Sequence, residues 1–200
     1  MTFKNWGKMT RVCAPIVRKA QLRGKTIAID MGSIIYLACL RYSTSLYDGA
    51  FTSGPYYVVI DLLRNLLDAG CRLIVVVDGD ERPVEKRACC EERRAKTNAA
   101  CDALAAALRA GREPTKEEYD AALRIPSWLW IRLRDWCRSQ VDVAFVVAPQ
   151  EADAQAAYLV RAGYADHELT PDGDAVCFGT PSILRPVGGD QLFASILRVS

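Results

Sequence analysis

Short, wholly apolar runs alternate along the chain with longer stretches whose apolar positions recur every three or four residues. Ile27-Ala28-Ile29 is the first such run, and it ends in Asp30. Leu73-Ile74-Val75-Val76-Val77 is the second and ends in Asp78; Val143-Ala144-Phe145-Val146-Val147 is the third. Runs of this kind, with no polar alternation, suit parallel strands covered on both faces. A short strand is predicted at His167 to Thr170, and a weaker one at Ser182 to Arg185. Helical patterns lie between them. Gly32 precedes Ile34-Ile35-Tyr36-Leu37, an apolar run that begins one helix. Pro55 opens another, with Val58, Val59, Leu62, Leu63, Leu66 and Leu67 on it, and Gly70 stops it. A third helix falls in "APQEADAQAAYL", Ala148 to Leu159. Strand, helix, strand, crossover and strand again imply an α/β fold with a mainly parallel sheet.

Residues 80 to 140 break this rhythm. They carry 13 basic and 11 acidic residues, punctuated by Pro83, Gly111, Pro114 and Pro126. The stretch reads as a helical excursion between strands, not as a separate domain. Trp128, Trp130 and Trp136 lie near its end. Aromatics at such spacing are more often core than ligand platforms.

Composition narrows the picture. Half of the 200 residues are hydrophobic, enough for one domain with a sizeable core. No apolar stretch approaches the ~20 residues of a membrane-spanning helix, so no membrane association is expected. The eight cysteines are scattered without a C-x-x-C pair, and His167 is the single histidine. That spacing argues against zinc and for free thiols in a reduced compartment. The net charge of +2 is unevenly spread. Seven of the 26 basic residues and none of the 24 acids fall in residues 1–25, which leaves 19 bases against 24 acids elsewhere. A basic N-terminal arm (1–25) therefore precedes a mildly acidic body (26–200). The arm reads equally as a nucleic-acid contact, an organelle presequence or a solvated end.

The charge that matters chemically is at the strand ends. In parallel sheets ligands bind beyond the carboxyl ends of the strands. Asp30 and Asp78 end the first two strands, Glu151 and Asp153 follow the third, and Asp172 and Asp174 follow the fourth. One such acid is ordinarily a turn former or helix cap. Six at successive strand ends are hard to credit to turns alone. Glu151 and Asp153 can share a site only if the helix barely begins at Glu151, because residues i and i+2 within a helix diverge. Asp172 and Asp174 can point the same way on extended chain. Like charges so gathered destabilise the fold, and divalent cations remove that cost. Oxygen donors without histidine or thiolate suit Mg²⁺ or Mn²⁺. A pair of such ions ~3.5–4 Å apart is the usual device for phosphodiester hydrolysis.

The chain resembles the flap endonuclease (XPG) superfamily of 5′ nucleases, and most nearly its exonuclease 1 branch. The resemblance rests on "IAID" (27–30), "VVDG" (76–79), "ERRAK" (92–96), "VAPQEADAQAAYLVRAG" (147–163) and "TPDGDAVCFG" (170–179), in order across nearly all of residues 25–185. The EADAQ-AYL block with a downstream D-x-D is the specific part. The resemblance implies a PIN-like, three-layer α/β fold with a helical arch and the helices that follow it, here residues 80–140. It implies two Mg²⁺ ions, replaceable by Mn²⁺, held by Asp30, Asp78, Glu151, Asp153, Asp172 and Asp174. It also implies an arch lysine and arginine at the scissile phosphate. Lys86 and Arg93 match best, with Arg87 and Arg94 as the alternatives. The expected substrate is DNA with a 5′ end, nick or flap. RNA remains open as a substrate, and a protein partner remains open as well. A nuclear location is expected, with a mitochondrial one as the alternative suggested by the basic N-terminus.

The sequence departs from the family pattern in places. It begins Met1-Thr2-Phe3 instead of Met-Gly-Ile, and Gln150 stands where flap endonucleases carry glycine. The family continues beyond this point with a seventh metal-linked aspartate and a helix-two-turn-helix element. The expectation is therefore a fragment, a partner-completed protein or a degenerate relative. The last would make the alternative to an active nuclease a catalytically weak or inactive PIN-like scaffold or RNA-binding subunit.

Overall fold

The computed structural model describes residues 16–47, 52–81, 83–186 and 191–196. Its strands are β1 (Ile16–Arg18), β2 (Thr26–Asp30), β3 (Arg72–Val77), β4 (Val143–Val147), β5 (His167–Leu169), β6 (Ser182–Pro186) and β7 (Gln191–Ile196). They form one sheet in the order β1-β7-β6-β5-β2-β3-β4. The five strands from β6 to β4 pair in parallel. β7 joins β6, and β1 joins β7, antiparallel. The helices are α1 (Met31–Leu40), α2 (Ser43–Tyr47), α3 (Gly54–Asp68), α4 (Val84–Arg109), α5 (Lys116–Ala121), α6 (Ser127–Ser139), α7 (Ala152–Arg161) and α8 (Asp174–Cys177).

Strand alternation divides the core into two layers. Ile27, Ile29, Leu73 and Val75 face one side and are covered by Ile34, Ile35 and Cys39 of α1, Val59, Ile60, Leu63 and Leu66 of α3, and Leu129, Leu133 and Cys137 of α6. Ala28 and Val76 face the other side, beneath Ala152, Ala156 and Val160 of α7. Both faces of β2 and β3 are thus buried, which is why neither strand tolerates polar alternation. α3 starts with Pro55 in its first turn and ends before Gly70, whose φ of +83° is a left-handed stop. The fold is therefore the expected three-layer, PIN-like α/β arrangement. Among the described residues, no helix is long and apolar enough to cross a membrane.

The structure refines two segments. The basic stretch 1–25 is not wholly a free arm. Ile16–Arg18 is sheet edge, with Ile16, Val17 and Arg18 opposite Phe193, Leu192 and Gln191, and Leu22 is core. Residues 1–15 lie outside the described residues. A three-residue strand has no periodicity of its own, and its partner lies far along the chain, so local pattern could not reveal it. Residues 80–140 divide into a projecting part and a body helix. α6 belongs to the body, and Trp128, Trp130 and Trp136 pack partly buried against the main core. α4 and α5 form the projecting part. They are held together by their own small cluster of Leu104, Tyr119 and Ala122, against which Tyr47, Ala100 and Cys101 pack.

Candidate metal centre

The carboxyl ends of β2, β3, β4 and β5 lie side by side, and each delivers acids to the same edge. Asp30 is the last residue of β2 and is buried. Its Oδ2 accepts a hydrogen bond from Thr170 Oγ1 at 3.3 Å. Burial pushes its pKa up and the charge of Asp78 adds to this, against hydrogen bonds from Ser33 and Thr170. Asp78 follows β3, and its Oδ1 accepts the backbone N–H of Ala152, the first residue of α7, at 2.9 Å. The next residue, Gly79, donates its N–H to the Gln150 carbonyl at 2.8 Å. A Cβ at Gly79 would collide with the carbonyl oxygens of Ala148 and Pro149, so only glycine lets these two chains meet here.

That contact fixes where α7 starts. Glu151 is its N-cap, in extended geometry (φ −108°, ψ 137°), and Asp153 lies in its first turn. The helix barely begins at Glu151, as a shared site demands. Asp153 is raised to about 6, first by burial and then by the charges of Glu151 and Asp30, while the Ala154 N–H and Lys86 oppose the rise. Asp172 and Asp174 are not on extended chain, contrary to expectation. The Asp172 N–H donates to Thr170 Oγ1 at 3.1 Å, and the Asp174 N–H donates to Asp172 Oδ1 at 3.3 Å. Gly173 is helical (φ −83°, ψ −14°) and α8 starts at Asp174. The short aspartate side chain captures a nearby backbone N–H and turns the chain, a local preference that overrides extension. Asp174 Oδ1 is buried without a hydrogen-bond partner.

Lys86, in the first turn of α4, reaches into this acidic edge. Its Nζ donates to Glu151 Oε2 at 2.6 Å and lies 5.9 Å from the centre of the Phe178 ring. Burial works against its charge. The Glu151 hydrogen bond and the charges of Asp153, Glu151 and Asp174 outweigh that, and the ammonium is held above its ordinary pKa. Arg93 is exposed and is not drawn in. It lies seven residues, or about 10 Å, further along the same face of α4 as Lys86. Arg87 and Arg94 are exposed as well.

The acids thus influence one another electrostatically, yet among the described residues no three carboxylate, imidazole or thiolate groups stand close enough to enclose one ion. The donor chemistry nonetheless fits a hard divalent cation. All six candidates are oxygen ligands, and one buried oxygen, on Asp174, has nothing to bond. Local pattern did not single out Glu168 of β5. It is fully buried and raised to about 8 by burial foremost, with the charges of Asp30 and Asp153 adding to the shift and the Thr180 hydrogen bond opposing it. Its signal was a charged residue inside a strand expected to be covered on both faces.

Comparison with known proteins bears on the family and the fold. Residues 142–194 match the family model described as the XPG I-region. Flap endonuclease 1 of Archaeoglobus fulgidus is 33% identical over 171 residues, spanning 81% of this chain and 49% of the relative. Exonuclease 1 of Drosophila melanogaster is 31% identical over 165 residues, spanning 82% of this chain and 22% of the relative. The chain therefore spans about half the length of the flap endonuclease and about a fifth of the exonuclease. Among solved structures, the catalytic core of Rad2 in complex with DNA substrate superposes with a TM-score of 0.64 at 21% identity, over 96% of this chain and 54% of that one. Flap endonuclease-1 from Methanococcus jannaschii superposes with a TM-score of 0.58 at 20% identity, over 93% of this chain and 62% of that one. Likeness at that level speaks for the fold.

Proposed function

The chain belongs to the flap endonuclease (XPG) superfamily, and from that premise we propose that it is the core of a structure-specific 5′ nuclease that hydrolyses DNA with divalent cations. One observation carries this reading. Four adjoining parallel strands deliver six carboxylates to one edge, and a lysine from the projecting helix α4 reaches into them. Asp30, Asp78, Glu151, Asp153, Asp172 and Asp174 would hold two Mg²⁺ ions. Bound there, the ions would supply an activated water and neutralise charge on the phosphate under attack.

The chain's own residues do the rest. An uncompensated group of carboxylates repels a phosphodiester, so the DNA can seat only when positive charge offsets it. Lys86 already supplies one such charge, through Glu151. Arg93, two turns along the same helix face, extends it along the path of the backbone. Thr170 and the backbone N–H groups of Ala152 and Asp174 orient Asp30, Asp78 and Asp172, and loading would draw the acids closer together, since no three of them among the described residues yet stand close enough to enclose an ion.

The test is cleavage of 5′-labelled flap, nicked and blunt duplex DNA and of matching RNA, each with and without Mg²⁺ or Mn²⁺. The expected result is cation-dependent release of the 5′ end from DNA, with flapped or nicked substrates favoured. A folded protein that cuts no 5′-ended DNA under any of these conditions would leave a scaffold role instead, and preferential cutting of RNA would reassign the substrate.

A further inference from the structure

β4 ends the sheet, and among the described residues no strand lies beyond it. Its ladder to β3 shows which backbone groups are already bonded. The Leu73 N–H donates to the Asp142 carbonyl and the Ala148 N–H to the Val77 carbonyl, both at 2.9 Å. In a parallel pair, alternate residues turn both N–H and C=O toward the same neighbour. Asp142, Ala144, Val146 and Ala148 therefore face β3, in keeping with Ile74 opposite Ala144 and Val76 opposite Val146. Val143, Phe145 and Val147 turn theirs outward. Among the described residues no backbone group takes these up.

An open edge invites another strand, and proteins blunt such edges with short strands, charges or proline. The opposite edge of this sheet is blunted: β1 has three residues and ends in Arg18. β4 is not. It has five residues, Val-Ala-Phe-Val-Val, with no charge and no proline among them. Val147 is 61% exposed, and Val141, just before the strand, is fully exposed. Beside the first half of the strand runs an open cleft of about 330 Å³, along Arg72, Ile74, Ala144 and Tyr164, and none of its lining residues is helical.

We propose that β4 is an interface between two copies of this chain, whose edges pair antiparallel about a two-fold axis at Phe145. The register follows from the outward groups. Phe145 meets the partner's Phe145, and Val143 meets the partner's Val147, so every outward N–H and C=O finds another. Three such pairs exchange about six hydrogen bonds. The side chains agree, because residues opposite each other in an antiparallel pair lie on one face. The exposed Val147 is covered by the partner's Val143, beside the two phenylalanines, and aromatic and β-branched pairs of this kind are favourable. Charge agrees as well. Asp142 falls opposite the partner's Ala148, so no like charges meet, and Pro149 has no N–H with which to extend the ladder. A charged peptide would find no counter-charge on this strand, whereas the strand's own sequence matches it. The two-fold axis reverses the partner's strands, so the two acidic edges lie at opposite ends of one continuous sheet. Association needs neither cations nor DNA.

Sedimentation equilibrium of the full chain in a reducing buffer, which keeps the thiols unpaired, tests the association. A single ladder buries less than the roughly 1,200–2,000 Å² of a stable complex, so a weak dimer with a Kd of about 10–100 μM is expected. Between about 5 and 300 μM the mass should climb from 22.1 kDa toward twice that value. Residue-resolved hydrogen exchange reads the register. In dilute protein the Ala144 and Val146 amides should exchange slowly and those of Val143, Phe145 and Val147 fast; in concentrated protein all five should be slow. Val147→Pro removes an N–H that bonds nothing within one chain, so the variant should fold, as circular dichroism would show, and associate at least about tenfold more weakly. Val147→Lys puts a charge on the same exposed position and should weaken association likewise; it decides the matter if the proline variant misfolds. A chain that stays monomeric throughout would overturn the proposal and leave the edge to a strand of a different protein. A dimer in which those three amides still exchange fast, or whose affinity survives both substitutions, would overturn it too, because such a dimer forms through another surface.

Discussion

Asp174 carries the most direct prediction at the scale of single residues. One of its oxygens is buried with no partner, and it belongs to a group of like charges. Asp174→Ala relieves repulsion and removes a first-turn acid from α8, so the metal-free stability should change by no more than about 1 kcal/mol. Cleavage, measured with a 5′-labelled flap, should be abolished. Retained cleavage by the variant would exclude Asp174 from the site. Lys86 and Arg93 make a second case. Lys86→Ala breaks an ion pair that is 43% exposed on the lysine side, and such pairs contribute little to stability. If the ammonium instead meets charge that develops in the transition state, single-turnover rates should fall about 10²–10³-fold with Mg²⁺ affinity nearly unchanged. Equal rates for the Lys86→Ala/Arg93→Ala double variant would shift attention to Arg87 and Arg94. The six acids stood out in the sequence because Asp30 and Asp78 end apolar runs and the other four lie within a few residues after one. Glu168 was not, because nothing local says which face of β5 it takes or what lies opposite.

Among the elements, α4 is unusual in how it is held. Its body-facing stripe runs through Lys86, Cys90, Arg93, Thr97, Ala100, Leu104 and Ala107, at alternating spacings of four and three. The first four are polar or small, and the last three are apolar. Burial on the helix is confined to Leu104 and Ala107, so packing anchors only its C-terminal half. α5 supports that half, and it is itself fixed by a capping box in which Thr115 Oγ1 accepts the Glu118 N–H and Glu118 Oε2 accepts the Thr115 N–H. Leu104→Ala should cost about 2–5 kcal/mol within this unit. Hydrogen exchange should then accelerate across α4 and α5 while β2 and β3 keep their protection. Uniform loss of protection through the sheet would mean that the projecting unit and the body unfold as one. The Lys86 end of α4 meets the acids through the ion pair with Glu151, while its far end is anchored by packing. The charged, proline-punctuated composition marked this segment as a helical excursion, but only packing showed that α6 belongs to the body.

For the molecule as a whole, the acidic edge couples stability to pH and to cations. Asp153 and Glu168 have folded-state values of about 6 and about 8, above their ordinary values of 3.8 and 4.5. A raised value means that the folded state binds more protons than the unfolded one. Their contribution is fully present below about pH 4. It is lost through about pH 6 for Asp153 and through about pH 8 for Glu168. The exposed Arg112–Glu118 pair, with Glu118 lowered to about 2, works in the other direction below its ordinary 4.5. Denaturant unfolding of the metal-free protein should therefore show stability falling from pH 5 to pH 9. A stability that rises over that range would show that these two acids are not the buried neutral groups described. Mg²⁺ or Mn²⁺ binds only the folded state on this reading, and should add about 2.7 kcal/mol at a hundredfold excess over Kd. A melting temperature indifferent to millimolar Mn²⁺ would argue against a cation site.

What the sequence by itself determined was local and periodic. The apolar runs specified β2, β3 and β4; β2 and β3 are buried on both faces, where polar alternation is disfavoured, whereas β4 is the sheet edge and partly exposed. The proline and glycine stops bounded α3, and the acids at the strand ends marked the acidic edge. Tertiary structure alone decided the rest. The pairing of β1 with β7 depends on partners some 175 residues apart, beyond the reach of any local pattern. The turn at Asp172 and Asp174 depends on which oxygen finds the nearest free N–H. The neutrality of Glu168 depends on the company it keeps, since the same side chain on a solvated strand would be an ordinary anion. Hydrophobic periodicity records which residues avoid water, but the charge state of a buried acid is set by the groups brought against it, and only the folded chain brings them together.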